Sequence, residues 1–107
     1  WTKPSCMLVN ECNYSDAYLT PWAYQTFHVG KLVGAPVAGT GTAVWWESQI
    51  DPSLVFGIPQ MGMKDNNGNY LENHQIEPEI EVYNSPVDVM NGIDGQLKAA
   101  VKCLQAR

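Results

Sequence analysis

Cys6-Met7-Leu8-Val9, running into Asn10-Glu11-Cys12-Asn13-Tyr14-Ser15-Asp16-Ala17, decides how this chain is organised. The first four residues are an apolar run of strand length, read as a buried strand within residues 5–10. Beyond Ser15, the residues Leu19, Trp22, Ala23 and Phe27 recur at helical spacing and predict a helix with those side chains on one face. Ser15 therefore stands at a strand-to-helix turn. A serine in front of a helix is a preferred N-cap, its Oγ accepting an unpaired amide of the first turn. The same turn also lifts Oγ above the end of a sheet, where the free N–H groups and positive end of the helix favour a developing oxyanion. Both readings fit the turn taken alone.

Working outward, Pro21 kinks this helix or sits at the start of a second one capped by Thr20. Gly30 is expected to end it, with His28 in the last turn. Lys31-Leu32-Val33-Gly34 reads as a second strand stopped by Pro36, and Gly39-Thr40-Gly41-Thr42 lies in a loop of small residues. That loop lacks both the Gly-x-Gly-x-x-Gly pattern and a Gly-Lys-Ser/Thr ending, so a tight turn or close backbone approach explains its glycines better than a phosphate cradle. Residues 43–47 and 54–58 read as strands joined through Asp51-Pro52 into a hairpin, and Pro59 keeps the second from a central position.

Asn67-Gly68 is a strong hairpin signal. The alternation Asp65, Asn67, Asn69 resembles a calcium loop, but the glycine is misplaced and Ile76 stands where a carboxylate is needed. Residues 76–83 alternate apolar and acidic side chains and read as a strand with one wet face. Ser85-Pro86 opens a short helical turn. Asp94 reads as the cap of a last helix, with Leu97, Ala100, Val101 and Leu104 as its core-facing stripe. The expectation is one α/β domain over residues 1–107, a mixed sheet with flanking helices.

A formal charge of −5 with scattered Lys and Arg gives no basic surface for nucleic acid, and no apolar run is long enough to span a membrane. The three cysteines form no Cys-x-x-Cys pair, and no cofactor or metal motif is present. Cys6 and Cys103 read as small core residues; Cys12 is a rival nucleophile with nothing nearby to activate it. The opening Trp1-Thr2-Lys3-Pro4 has no initiator Met or leader features and reads as the interior of a longer protein.

Three stretches in order resemble the tail-specific (carboxyl-terminal processing) and tricorn-type serine peptidases, family S41. They are the Asn10-Glu11-x-x-Tyr14-Ser15-Asp16-Ala17 turn, then Lys31-Leu32-Val33-Gly34-Ala35-Pro36 with Gly39-Thr40-Gly41-Thr42, then Leu71-Glu72-Asn73-His74 running into residues 76–82. The resemblance implies the C-terminal part of a crotonase/ClpP-like peptidase core acting on peptide or protein substrates. It implies Ser15 as nucleophile and the Asp16 backbone N–H as an oxyanion donor. The tail-specific plan pairs the serine with a lysine, but the matching position here is Thr40. The tricorn-type plan uses a histidine oriented through a serine and a glutamate, and Glu72 matches that glutamate. The histidine is then expected from an upstream segment of the same polypeptide, leaving the isolated chain with little or no activity, and the exposed remainder of a shared core is expected to self-associate.

Alternatives stand beside that plan. His28 is better explained by the helix end, while His74, two residues from Glu72, offers a self-contained triad. Asn13-Tyr14-Ser15 is also a glycosylation sequon, read as coincidental. An esterase is disfavoured because Tyr14 and Ala17 replace the glycines of a Gly-x-Ser-x-Gly elbow. An inactive peptidase-like module for assembly or peptide binding is the other reading. A bacterial or archaeal cytoplasm or periplasm is compatible with the family.

Overall fold

The computed structural model describes residues 2–106. In chain order the elements are β1 (Cys6–Val9), α1 (Asp16–Thr26), β2 (Lys31–Gly34), β3 (Thr42–Ser48), β4 (Val55–Gly62), β5 (Ile80–Glu81), α2 (Pro86–Met90) and α3 (Gly95–Gln105). The fold is mixed α/β, with the parallel and antiparallel pairings divided between two sheets. The first has the order β1-β2-β5 with both pairings parallel, and the second is an antiparallel β3-β4 ribbon. Strand β1, helix α1 and strand β2 form a βαβ unit in which Met7 lies beside Leu32 and Val9 beside Gly34.

Continuous apolar runs suit strands covered on both faces, and Leu32, Val33 and Gly34 of the central strand are all buried. The main cluster joins Val9, Tyr18, Leu32, Val37, Leu71 and Ile76. It unites α1 with the sheet and with both segments that flank the 39–42 loop. Helix α3 packs on β1 and β2, contributing the buried Ala100.

Helices α2 and α3 start where expected. Ser85 Oγ accepts the Asp88 amide at 3.1 Å and an Asp94 carboxylate oxygen accepts the Leu97 amide at 2.9 Å, the capping that shields first-turn donors. Four other expectations need correction. The inward face of α1 is centred on the buried Tyr18 and Pro21; Leu19 and Trp22 of the expected stripe pack partly buried against the same cluster, but Phe27 is exposed. That helix ends in a Schellman arrangement on His28, not at Gly30. His28 has φ 53, its amide bonds Gln25 O, and the Val29 amide bonds Tyr24 O.

On α3 the sheet-facing side is Gln96, Ala99, Ala100 and Cys103, whose mostly small side chains allow close approach; Leu97, Val101 and Leu104 are exposed. Within residues 76–83 only Ile80–Glu81 is paired strand, because Ile76 instead bridges Val37. Glu79 meanwhile uses its carboxylate to accept the Leu32 amide at 2.7 Å.

Candidate active site

The β1-α1 turn is built by two asparagines. Asn10 Oδ1 accepts the Cys12 amide at 2.9 Å, and Asn13 Oδ1 accepts the Asn10 amide at 3.0 Å. Asn13 Nδ2 donates to Ala17 O at 2.8 Å. Ala17 is four residues before Pro21, so its carbonyl is the one that Pro21, lacking an N–H, leaves without its helical partner. The helix accordingly runs unbroken through Pro21, and the sequon amide is engaged inside the turn.

Ser15 occupies the cap position, but its side chain makes no capping hydrogen bond. Its backbone is at φ 55, ψ −116, a region an L-residue occupies at a cost of about 1–3 kcal/mol. The Ser15 carbonyl accepts the amides of Tyr18 and Leu19 at 2.8 and 3.1 Å and so starts the helix. Oγ is thereby freed from the helix it precedes. Among the described residues no acceptor takes the Asp16 amide, which stands in the first turn of α1. A free hydroxyl beside an unpaired helix-terminal amide is an arrangement suited to nucleophilic attack with an oxyanion donor at hand.

The 39–42 loop is clamped between this turn and residues 71–74. The Ser15 amide donates to Thr40 Oγ1 at 2.8 Å, and Thr42 Oγ1 donates to Glu72 Oε2 at 2.6 Å. Asn73 N bonds Gly39 O at 3.0 Å and Met63 N bonds Gly41 O at 2.8 Å. Both glycines are required by proximity: a Cβ at Gly39 would stand 2.3 Å from His74 N, and one at Gly41 2.8 Å from Leu71 Cβ. No phosphate cradle is needed to account for them.

Glu72 is half-buried and held from behind. The hydroxyl of Tyr18, a residue 1% exposed, shares its proton between Leu71 O and His74 O, both at 2.8 Å. Burial, then the negative charge of Glu72, pushes the Tyr18 phenol above its usual pKa, so it stays a donor. His74 does not meet the Glu72 carboxylate: its Nδ1 lies 3.0 Å from the Glu72 backbone carbonyl, and that contact argues against a Ser15–His74–Glu72 triad. His28 is committed by its backbone to the end of α1. A groove of about 750 Å³ is lined by residues including Tyr18, Trp22, Tyr70 and His74, but by neither Ser15 nor Glu72.

The structure thus brings the three sequence-selected residues into one neighbourhood through the loop: Ser15 and Asp16 on one side, Glu72 on the other. Thr40 was singled out only as the position matching the lysine of the tail-specific plan, and Tyr18 was not singled out at all. The hydroxyls of the Gly-Thr-Gly-Thr loop reach opposite neighbours, Thr40 the Ser15 amide and Thr42 the Glu72 carboxylate, which the alternation by itself does not signal. Tyr18 carried no signal, since its hydroxyl partners lie 53 and 56 residues away. Asp65 spends its carboxylate on the amides of Asn67 and Asn69, at 2.9 and 2.8 Å, and on Asn69 Nδ2, as the frame of a turn.

A family model described as Peptidase family S41 matches residues 1–82. Tricorn protease of Thermoplasma acidophilum is 22% identical over 98 residues, covering 91% of this chain and 9% of that protein. The crystal structure of the tricorn protease superposes with a TM-score of 0.82 at 22% identity, over 92% of this chain and 10% of that one. The structure of mature CPAF complexed with lactacystin gives 0.77 at 23% identity, over 95% and 20%. These likenesses are of fold. The chain spans about a tenth of the tricorn protease and a fifth of the CPAF chain.

Proposed function

The chain belongs to peptidase family S41, and from that membership we propose that it carries the nucleophile half of a serine peptidase active site, within the C-terminal part of a larger catalytic domain. Ser15 Oγ attacks the carbonyl carbon of a peptide bond as its proton passes to a histidine base. The Asp16 amide receives the oxyanion of the tetrahedral intermediate, and the protonated base then gives its proton to the leaving amine. Water hydrolyses the resulting acyl-enzyme. Glu72 is the distal carboxylate of the relay, and the histidine comes from an upstream segment of the same polypeptide.

The observation that carries this reading is Ser15 held at φ 55, ψ −116 with no capping bond, beside an Asp16 amide that no acceptor takes among the described residues. A serine kept only as a cap has no need of that conformation. The contact of His74 Nδ1 with the Glu72 backbone carbonyl and the place of His28 at the opposite end of α1 from Ser15 support a base from outside these residues. By itself the chain is then expected to hydrolyse peptides little or not at all.

A fluorophosphonate probe on the polypeptide that includes the upstream part tests the proposal. The expected result is a mass adduct on Ser15, lost in Ser15→Ala. A folded protein without the adduct would overturn it. Peptide hydrolysis unchanged in Ser15→Ala would favour an inactive peptidase-like module for assembly or peptide binding.

A further inference from the structure

We propose that the 39–42 loop is the positioning element of this site, with Thr40 holding the Ser15 backbone in its strained conformation and Thr42 aiming the Glu72 carboxylate. The inference rests on the reading of Ser15 as nucleophile and deepens it by naming residues that act through Ser15 and Glu72. Three observations converge. The Ser15 amide donates to Thr40 Oγ1 at 2.8 Å, across 25 residues of sequence. Thr42 Oγ1 donates to Glu72 Oε2 at 2.6 Å. The loop between these contacts is backed by Asn73 N on Gly39 O and Met63 N on Gly41 O, with no room for a Cβ at either glycine.

The chemical consequence is a division of amides. Thr40 consumes the Ser15 N–H, so the turn presents the Asp16 N–H, one residue on, to an incoming carbonyl oxygen. One rigid loop then sets both the attacking residue and the distal carboxylate, and their separation does not depend on the flexibility of two independent segments.

The proposal predicts different results for removal of the hydroxyl and for its conservation, in the polypeptide that includes the upstream part. Thr40→Val is expected to slow fluorophosphonate inactivation about 10- to 100-fold through kinact, the size of effect expected from one lost hydrogen bond at a reacting group. KI should stay within about threefold, because probe binding does not use the Thr40 hydroxyl. Thr40→Ser should restore the rate, and Thr42→Val should alter the pH profile of labelling where Thr42→Ser does not. Thr40→Val labelling at the wild-type rate, or Thr40→Ser failing equally, would overturn the role.

Site-resolved amide exchange on the unmutated protein keeps the test independent of variant folding. Ser15 should exchange at least about tenfold more slowly than Asp16, whose amide has no acceptor among the described residues. Equal exchange would overturn the Thr40 contact. If the wild type never labels at Ser15, the nucleophile reading falls, while the exchange ratio still reports on the contact itself.

Discussion

Ser15 adopts its positive φ at a position where the chain has no glycine, so the turn keeps a side chain at a conformational cost. Glycine adopts φ near 55 without a Cβ penalty, whereas alanine keeps that penalty while losing the hydroxyl. Ser15→Gly is therefore expected to be more stable than Ser15→Ala by about 1 kcal/mol, measured by urea unfolding, with both unable to take a fluorophosphonate. An alanine variant as stable as the glycine one would mean that the turn is unstrained. Behind the site, Tyr18 is the residue whose contribution was least visible in advance. Its aromatic ring belongs to the core cluster while its hydroxyl ties Leu71 and His74 around Glu72.

Among the elements, β5 is short because Glu79 does part of its work. A carboxylate oxygen accepts the Leu32 amide at 2.7 Å, and the other accepts Gln25 Nε2 at 3.1 Å, tying β2 to α1 just before β5 pairing begins. Burial alone would raise the Glu79 carboxyl, but the Leu32 amide, Gln25 and the charge of Lys31 hold it below its usual value of 4.5. A carboxylate whose pKa is depressed on folding binds its proton more readily when unfolded. Its stabilisation is full above the ordinary glutamate value and is lost as pH falls through the lower folded value. Glu79→Gln should thus lower Tm at about pH 6 and converge with wild type as acid carries the pH below the depressed folded value. The effect is modest, because the side chain is exposed and solvent screens its charge. A Tm gap that does not shrink with acid would assign the loss to packing instead.

The whole molecule carries more surface than its size requires. The accessible area is 7665 Å², against about 5,950 Å² expected for a monomer of this mass. The radius of gyration is 17.1 Å, where a compact chain of this length has about 13 Å. The β3-β4 ribbon exposes Trp45, Trp46, Phe56 and Met61, with Leu54 in the turn before β4, and α3 adds the uncovered Leu97 and Val101. Apolar surface of this extent on one molecule marks an interaction face. The chain alone is therefore predicted to self-associate, giving a light-scattering mass above 11.9 kDa that falls towards the monomer in the Trp46→Lys, Phe56→Lys double variant. A monodisperse monomer of the unmodified chain would refute this. No helix among the described residues is long and apolar enough to cross a membrane.

Local chemistry alone determined a good deal of this protein. The strand-turn-helix around Ser15, the span of β2, the β3-β4 hairpin and the caps at Ser85 and Asp94 all follow from periodicity and from side chains bonding backbone a few residues away. The order of three short motifs was enough to indicate the S41 family. Tertiary structure alone decided which faces are inside. Leu97 and Val101 are as apolar as a core stripe, yet α3 turns its small residues to the sheet, because helix and strands approach closely only there. It also decided that Glu79 stands in for a strand, that Ser15 gives its amide to Thr40 rather than its hydroxyl to the helix, and that Thr42 meets Glu72. Each of those contacts joins residues 25 to 47 positions apart, and a hydrogen bond between distant segments leaves no periodic trace in either one.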